Sequence, residues 1–448
     1  MGKTLSLNMI FGNSEERFIN FALCSVLPLV DEAVLVNTGD ENNINLNKIE
    51  ETIKQFKNKI KLLHFPFTNF AECRNYAIEN SNCDWILRQD ADEVYDYNSY
   101  NAILSLINDD KKFDIYWLYF YHFIIYPWYY QDIYPCKVLF KNNGKIRWNG
   151  SVHEQLNSVN VGNSDIKFYH YGYCQPQYII MNKWKHYMAL EGQPEFYKDR
   201  NPNTCISDRI KVCKYFDKEH PEVMRDYVSN IKNSYKIGLF MIVTPYDIEN
   251  AKKALNTLFA HNYNNKLDVI LILDGGAELK HDKIKDYIKN ENIPNLPVDM
   301  NIGFNYFLSR NKYKYFGWIH PDMIFLDYDW LYQLEDYLDK NPNVGKVCSQ
   351  NTRDGEGVDR PGSEQCYLVR REAVDMTLLF DERFECGYED WDFNRRMMET
   401  GYDIMINSKS RVYHEAMQTR KNFVDGDNKL KKGSELYYEK WHTYEPPV

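Results

Sequence analysis

Two aspartates separated by one residue are the sharpest chemical signal in this sequence. Asp90 and Asp92 lie in the segment DADE, directly after the apolar run WILR (Trp85–Arg88). The ligand sites of parallel sheets lie beyond the carboxyl ends of the strands, and Asp-x-Asp places both carboxylates on one side of an extended segment. Such a pair can hold one divalent cation, Mn²⁺ or Mg²⁺, and leave positions free for diphosphate oxygens. A solvated acidic loop is the alternative, but the position after a buried strand favours the cation site.

A second acidic cluster lies in the C-terminal half, where Glu389, Asp390 and Asp392 begin a helical stretch. Carboxylates at a helix N-terminus are favourable through the helix dipole, which is a purely structural explanation. The functional alternative is a general base that takes the proton of an attacking hydroxyl group. Because Arg395 and Arg396 follow directly, the cluster is unusual for a simple helix cap, and the second interpretation is favoured.

Composition and charge exclude several classes of protein. The 448 residues predict two or three domains, and the net charge of -10 argues against nucleic acid as the main partner. Phosphate groups must therefore be bound locally, by a metal ion or a helix N-terminus. The ten cysteines form no C-x-x-C pair and indicate free thiols in a reducing cytoplasm. No secretion signal or transmembrane segment is predicted, and a homo-oligomer is compatible with the sequence.

One aromatic run, Phe113–Trp128, is apolar enough to raise the question of a membrane contact. It is short for a membrane span and rich in aromatic and β-branched residues, which favours a buried pair of strands over an interfacial membrane contact.

Apolar strands alternate with amphipathic helices in both halves, the pattern of α/β domains with mostly parallel sheets. The predicted strands are Leu5–Phe11, Ala33–Asn37, Ile60–His64, Trp85–Arg88, Ile237–Val243, Val269–Leu273 and Tyr315–Ile319. In the second half, helices are predicted over Ile248–Phe259 and Asp282–Lys289, and a further helix is predicted to open at Gly303. The sequence therefore predicts a duplicated architecture of two domains, 1–232 and 233–448, with a helical connector over about 178–232.

The first half resembles the family 2 glycosyltransferases, whose domains have the Rossmann-like GT-A fold. The resemblance covers about residues 4–175. It is carried by GNSEERF (Gly12–Phe18), VDEAVLVNTGD (Val30–Asp40), RNYAIENSNCDWILRQDADEV (Arg74–Val94) and GSVHEQL (Gly150–Leu156). The fold class that it implies is α/β, with two tandem GT-A domains.

This resemblance also implies roles for residues of the first half. Asp90 and Asp92 are expected to bind the metal ion and the nucleotide diphosphate, with Arg74 near the phosphates. His153 and Glu154 are expected near the sugar or the acceptor, with Glu154 as a candidate catalytic group. Asn37 stands where the family has an aspartate that contacts the nucleobase, so donor binding is expected there with a changed preference, because asparagine keeps the hydrogen bonds but not the charge.

The second half resembles the same superfamily through LILDGG (Leu271–Gly276), NIGFNYFLSRN (Asn301–Asn311) and WIHPDMIF (Trp318–Phe325). The resemblance implies that Asp274 and Asn301 bind the donor and that Asp322 and His414 bind the metal ion. His320 replaces the more usual Asp or Asn, and histidine suits Mn²⁺-like ions better than Mg²⁺.

The cluster at Glu389 resembles the acidic motif on the acceptor side of this superfamily. We expect Asp390 to be the general base, Glu389 to be the second candidate, and Asp392 to hold the acceptor.

The resulting prediction is a glycosyltransferase of the hexosyltransferase type. It moves a sugar, with inversion, from a nucleotide-sugar donor to a hydroxyl of a glycan or protein acceptor, with a divalent metal as cofactor. The chain is either bifunctional or has one catalytic domain and one degenerate domain that binds acceptor or scaffolds assembly. A scaffold with both sites inactive and a nucleotidyltransferase are weaker alternatives, since the acidic pairs are retained and the acidic helix suits an acceptor hydroxyl.

Overall fold

The computed structural model describes residues 2–109, 113–151, 154–158, 160–175, 177–192, 208–261, 263, 266–291, 295–325, 327–352, 366–385, 387–414 and 426–447. The chain divides into two compact units. The first comprises Met1–Ile206 and Phe216–Asn230, and the second comprises Ser207–Tyr215 and Ile231–Val448.

The first unit is built around a sheet with helices on both faces. Its strands are β1 (Leu5–Phe11), β2 (Glu32–Asn37), β3 (Ile60–His64), β4 (Trp85–Arg88), β5 (Glu93–Val94), β6 (Ile115–Ile124), β7 (Tyr126–Lys141), β8 (Trp148–Asn149), β9 (Gln155–Leu156) and β10 (Val161–Tyr173). Its helices are α1 (Ile19–Cys24), α2 (Ile44–Gln55), α3 (Phe70–Glu79), α4 (Tyr100–Asn108) and α5 (Gln177–Leu190), and α6 (Glu222–Ser234) contains the division at Asn230.

Eight of these strands form a mixed sheet in the order β3-β2-β1-β4-β7-β6-β10-β5. Strands β1 to β4 pair in parallel, as do β6 and β10, and the other neighbours are antiparallel. The apolar residues of β1 alternate along the strand, so Leu5, Leu7, Met9 and Phe11 reach one core with helices α1, α2 and α4. The run Phe113–Trp128 folds into β6 and the start of β7, which confirms the predicted pair of strands.

The second unit repeats this plan. Its strands are β11 (Lys214–Tyr215), β12 (Lys236–Val243), β13 (Leu267–Asp274), β14 (Asp286–Asn290), β15 (Tyr313–Trp318), β16 (Met323–Phe325), β17 (Val344–Thr352), β18 (Tyr367–Arg370) and β19 (Asp403–His414). Its helices are α7 (Ile248–Phe259), α8 (Leu296–Leu308), α9 (Trp330–Lys340), α10 (Arg371–Thr377), α11 (Glu389–Glu399) and α12 (Gly426–Trp441).

The sheet order in the second unit is β14-β13-β12-β15-β18-β17-β19-β16. When β12 to β18 are matched with β1 to β7 in chain order and β19 with β10, this is the order of the first unit, with the same parallel and antiparallel pairs. Alternate residues of β12 enter two different cores. Leu239 and Met241 pack with α7 and α9, whereas Phe240 and Ile242 pack with α8 and α11. Both faces of the sheet are therefore buried, as a largely parallel sheet requires.

Two predicted elements of the second unit are wrong. Asp286–Asn290 is an edge strand parallel to β13, where a helix was expected over Asp282–Lys289. The segment has only two apolar residues, which are too few to form the buried face of a helix. An edge strand pairs with a neighbour along one edge only, so this composition suffices for it. The helix expected to open at Gly303 instead begins at Leu296, because the Asn295 side chain caps it by accepting from Val298 N.

The predicted fold class is confirmed as α/β with two large, mostly parallel sheets. None of the helices in the described part of the chain is long and apolar enough to cross a membrane.

Candidate active site

Asp90 lies directly beyond β4 and is held by two arginines. Its Oδ1 accepts a hydrogen bond from Arg74 Nη2 at 2.8 Å, and its Oδ2 lies 3.0 Å from Arg88 Nη2. Burial alone would raise the pKa of Asp90, but the charges of Arg74 and Arg88 outweigh it and lower the pKa below its ordinary value. Both carboxylate oxygens of the first predicted metal ligand therefore already face a cation.

Asp92 is also paired, through residues from α5 and β10. Its Oδ2 accepts from Lys183 Nζ at 3.2 Å, and its Oδ1 lies 3.5 Å from His170 Nε2. Burial opposes ionisation, but Lys183 and His170 together lower the pKa of Asp92. Gly172 permits this packing, since a Cβ at that position would lie 2.2 Å from Asp92 Oδ2.

The two arginines are neutralised in turn by further carboxylates. Arg74 Nε donates a short hydrogen bond to Glu154, and Arg88 Nη1 donates to both oxygens of Glu93 at 2.8 and 2.9 Å. Burial raises the pKa of Glu93 to about 7, with Asp90 adding to the effect of burial and Arg88 opposing it.

Arg74, which was expected near phosphates, is 6% exposed and pairs with Asp90 and Glu154. Glu154, the candidate catalytic group, is the ion-pair partner of Arg74. The phosphate role of Arg74 and the catalytic role of Glu154 stay predictions. His153 lies outside the described residues.

Asn37 ends β2 and its side chain closes the following turn. Its Oδ1 accepts from Gly39 N at 3.0 Å and from Asn43 Nδ2, and its Nδ2 donates to Asp40 O at 2.9 Å. Asn37 is 3% exposed, and these bonds use both acceptor positions of Oδ1 and one N–H of Nδ2; the expected contact with the donor stays a prediction.

The second unit assembles a different group at the equivalent place. His320 and Asp322 follow β15, and His414 ends β19. Strand β16 pairs with β19 so that Met323 lies opposite His414, which brings the histidine beside Asp322. His320 Nδ1 contacts Asp322 Oδ1 at hydrogen-bond distance, and His414 Nε2 lies 2.9 Å from the same oxygen.

This group fits a divalent ion. Its three ligand atoms lie within 4.8 Å of one another, and no other His, Cys, Asp or Glu group of this kind occurs in the described ranges. Asp322 Oδ2 and His414 Nδ1 are buried without a hydrogen-bond partner among the described residues, while His414 Nε2 faces Asp322 Oδ1. A buried carboxylate oxygen and a buried imidazole nitrogen left unbonded are costly, and a cation shared between the carboxylate and the imidazoles would offset that cost. Two imidazoles and one carboxylate suit Mn²⁺-like ions.

Asp274 ends β13 at the position that Asn37 has in the first unit. Its Oδ1 is buried with no hydrogen-bond partner in the part of the chain that the structure describes. Burial raises the pKa of Asp274, while the backbone N–H of Gly275 opposes the rise. Nearby, burial raises the pKa of Asp299 to about 7, and the charge of Asp274 adds to the effect. An acceptor atom without a donor is therefore present where a nucleobase or ribose contact was expected.

Asn301, which was expected to bind the donor, is bonded within the protein. Its Oδ1 accepts from Phe380 N at 2.8 Å, and its Nδ2 donates to Phe380 O and Glu382 Oε1, each at 3.0 Å. The amide thereby ties α8 to the segment after α10, and donor binding by Asn301 stays a prediction.

The acidic helix α11 begins after Tyr388, whose backbone has the left-handed conformation with φ of 69°. Burial raises the pKa of Asp390, and the positive charge of Lys346 opposes the rise. Lys346 lies on β17, where it is fully buried and donates to Asn394 Oδ1 at 3.0 Å. Burial lowers the pKa of Lys346 to about 8. A partly buried carboxyl group in the field of a buried lysine is a suitable general base, because its protonation responds to that local charge.

Asp392, which was expected to hold the acceptor, is consumed by internal contacts. It is 0% exposed; its Oδ2 accepts from Arg396 Nε at 2.9 Å, and its Oδ1 accepts from Trp441 Nε1 at 2.9 Å and lies 2.7 Å from Lys440 Nζ. The carboxylate therefore ties α12 to α11, and the expected acceptor contact stays a prediction.

Several of these residues were not singled out from the sequence. Lys183, His170 and Lys346 enter the sites from elements distant in sequence, whereas Arg88 ends β4, two residues before Asp90. For His170 a signal exists, because the long strands β10 and β19 each carry a histidine near or at their end, which pairs with the residue after the aspartate.

Comparison with known proteins supports the class for the first unit. Residues 7–157 match the sequence profile of the family described as Glycosyl transferase family 2. No curated protein matches the sequence.

Weak likenesses to solved structures accompany this match. TarS residues 1–349 of S. aureus is 10% identical with a TM-score of 0.33, over 46% of this chain and 73% of that one. The mannosyltransferase PcManGT of Pyrobaculum calidifontis, in complex with GDP-Man and Mn²⁺, is 11% identical with a TM-score of 0.34, over 43% and 64%. GalNAc-T7 with UDP, GalNAc and Mn²⁺ is 12% identical with a TM-score of 0.36, over 48% and 52%. This chain therefore spans less than two thirds of the last two proteins.

Likenesses this weak say nothing about the substrate. The assignment to the glycosyltransferases rests on the family match and on the sheet that carries Asp90 and Asp92. The prediction of a glycosyltransferase is confirmed on that ground, and residues 7–157 match the family described as Glycosyl transferase family 2.

Proposed function

We propose that this chain transfers a sugar from a nucleotide-sugar donor to a hydroxyl of a glycan or protein acceptor, and that the transfer site lies in the second unit. One observation carries the proposal: His320, Asp322 and His414 converge at the carboxyl end of β15 with buried, unbonded ligand atoms. The equivalent carboxylates of the first unit are paired with cationic side chains.

His320, Asp322 and His414 would hold the divalent ion, which when bound would neutralise the charge that develops on a leaving diphosphate. Asp274 supports donor binding at the neighbouring strand end, because its free Oδ1 can accept a hydrogen bond from a nucleobase or a ribose hydroxyl. Both groups lie beyond parallel strands of one sheet, where ligands of such sheets bind.

Asp390 is proposed as the general base, with Glu389 as the second candidate. The acceptor hydroxyl oxygen would attack the anomeric carbon and the bond from that carbon to the phosphate oxygen would break, while Asp390 takes the hydroxyl proton. Inversion follows from a single displacement of this kind. The positive charge of Lys346 favours the ionised form of Asp390 that the step requires.

Transfer by the first unit as well is the second candidate. The family match over residues 7–157 favours it, since the match includes Asp90 and Asp92. The ion pairs of these two aspartates weigh against a second site of the same metal-dependent kind.

Activity of the purified chain on a panel of nucleotide sugars, with Mn²⁺ or with EDTA, tests the proposal. We expect hydrolysis or transfer with at least one donor in Mn²⁺, and Asp390→Asn should lower the rate by a factor on the order of 10² or more without loss of donor binding. Glu399→Gln, an exposed residue of the same helix, is the matched control. Failure of every donor to bind in a metal-dependent way would exclude the proposal.

A further inference from the structure

The two units place different charges at the same position of the same sheet. In the second unit, Asp322 is followed by Met323, which pairs with His414; in the first, Asp92 is followed by Glu93, which pairs with His170. Asp92 and His170 are thus the structural equivalents of Asp322 and His414.

An ammonium group lies beside the first of these pairs. Lys183 Nζ is 3.2 Å from Asp92 Oδ2, while His170 Nε2 is 3.5 Å from Asp92 Oδ1. Both oxygens of Asp92 therefore have a nitrogen partner. His170 is fixed on its other side, because its Nδ1 lies 3.0 Å from His122 Nδ1.

A divalent ion does not fit this arrangement. The oxygens of Asp90 face Arg74 and Arg88, so an ion between Asp90 and Asp92 would meet three cationic side chains at close range. Like charges at such separations repel strongly in a partly buried site. The ion predicted for Asp90 and Asp92 from the sequence therefore disagrees with the structure.

Of the three cations, Lys183 alone can reach a ligand. The side chains of Arg74 and Arg88 are 7% and 11% exposed and are each bonded to two carboxylates, whereas Lys183 keeps 31% exposure. Its ammonium has three N–H donors and uses one on Asp92, with Glu16 and Tyr187 as its other close neighbours of ionisable type. The remaining donors suit phosphate oxygens, which Lys binds as a point charge.

We propose that Lys183 takes the place of the divalent ion in the first unit, which binds the diphosphate group of a nucleotide or nucleotide sugar directly and without metal. This inference rests on the proposed function, since it assigns the ligand class from the family that residues 7–157 match. One chain would then have two diphosphate-binding sites. The site in the second unit would require a divalent ion, and the site in the first unit would bind without one.

Counting bound Mn²⁺ by electron paramagnetic resonance tests whether the first unit excludes a metal ion. The wild-type chain should bind one Mn²⁺ and Asp322→Asn none, while Lys183→Met, which keeps the aliphatic stem, should bind a second ion. Lys183→Gln provides the same test should Lys183→Met fail to fold. An Asp322→Asn chain that still binds Mn²⁺ and loses it in combination with Asp92→Asn would overturn the inference, as would folded Lys183 variants that gain no ion.

Calorimetry with inorganic pyrophosphate tests whether Lys183 binds a diphosphate group without metal. The Asp322→Asn chain in EDTA should bind pyrophosphate, and Lys183→Met should weaken that binding about tenfold or more, as loss of a charged hydrogen bond implies. Lys183→Arg should retain binding, and Lys185→Met, an exposed lysine of the same helix, should leave it unchanged. Absence of metal-free binding, or binding that Lys183→Met leaves unchanged, would overturn the proposal. Neither experiment uses a sugar or an acceptor, so failure of the proposed transfer in the second unit would leave both readouts intact.

Discussion

Asp92 and Asp322 occupy equivalent places in two sheets of one topology, but their partners give them opposite chemistry. Asp92 meets an ammonium group and an imidazole, and its charge is satisfied within the protein. Asp322 meets two imidazoles, which are neutral ligands when deprotonated, and one of its oxygens is left buried without a partner. We propose that Lys183, with Arg74 and Arg88 around Asp90, makes the first site an ion pair where the second unit has a metal site.

The pH dependence of transfer should report the charge of Lys346. Ionised Asp390 is the reactive form, so kcat/KM should rise with pH as the carboxyl group loses its proton. Lys346→Met removes a charge that favours ionisation, so the pKa of Asp390 should rise and the acidic limb of the profile should move to higher pH. Lys340→Met, at an exposed lysine of the same unit, is the control. An acidic limb that stays in place would argue that another group is the base.

Lys346 should also make stability depend on alkaline pH. Its pKa is lowered by burial to about 8, whereas the unfolded chain has an ordinary lysine, so the unfolded state binds more protons between these values. The free energy of unfolding should therefore increase with pH across this window, by about 3 kcal/mol relative to Lys346→Met between pH 8 and 10.5. Urea unfolding of both chains at matched pH measures the difference. A constant difference would show that Lys346 keeps its charge in the folded protein.

The sequence could identify these acidic residues but not their partners. Asp90, Asp92, Asp322 and Asp390 follow strands or open a helix, which local patterns reveal. Lys183 follows Asp92 by 91 positions, and its approach depends on how α5 packs, which no spacing rule gives. The same limit applies to Asn37 and Asp392, whose side chains bond to groups that only the folded chain brings near.

At the scale of elements, α11 is held in place by the C-terminal helix. Asp392 bonds to Arg396 within α11 and contacts Lys440 and Trp441 of α12. Trp391 and Tyr388 add aromatic contacts with Tyr437, at ring-centroid distances of 5.7 and 5.6 Å. Contacts with α12 therefore hold α11, the helix that carries the proposed base, in position.

Asp392→Asn should destabilise the second unit by about 3–5 kcal/mol, because it leaves Arg396 and Lys440 without their buried counter-charge. Urea unfolding followed by tryptophan fluorescence would measure the loss, with the exposed Glu399→Gln as control. If Asp392→Asn instead raised the KM for the acceptor and left the unfolding transition unchanged, the role expected from the sequence would be the correct one.

Elements with strong local signals were predictable. The strands Leu5–Phe11, Ile60–His64 and Trp85–Arg88 and the helix Ile248–Phe259 have the bounds that apolar periodicity predicts. The edge strand β14 was not predictable in this way, since its sequence is mostly polar and its pairing with β13 decides its conformation.

At the scale of the whole chain, one strand order occurs twice with little sequence in common. The duplication was predictable from alternating strands and helices, but the difference between the two sites was not. Each unit keeps an aspartate after its fourth strand and a histidine on the strand that pairs beside it. We expect the units to share a diphosphate-binding ancestry and to differ in how they neutralise the phosphate charge.

We propose that sugar transfer depends on a cation held by the second unit and not on one held by the first. The Mn²⁺ dependence of donor hydrolysis or transfer for wild type, Asp322→Asn and Asp92→Asn, assayed side by side, tests this. We expect Asp322→Asn to lower the Mn²⁺-dependent rate by a factor on the order of 10² or more and Asp92→Asn to leave the Mn²⁺ requirement unchanged. A Mn²⁺-dependent rate that survives Asp322→Asn and disappears in Asp92→Asn would contradict it.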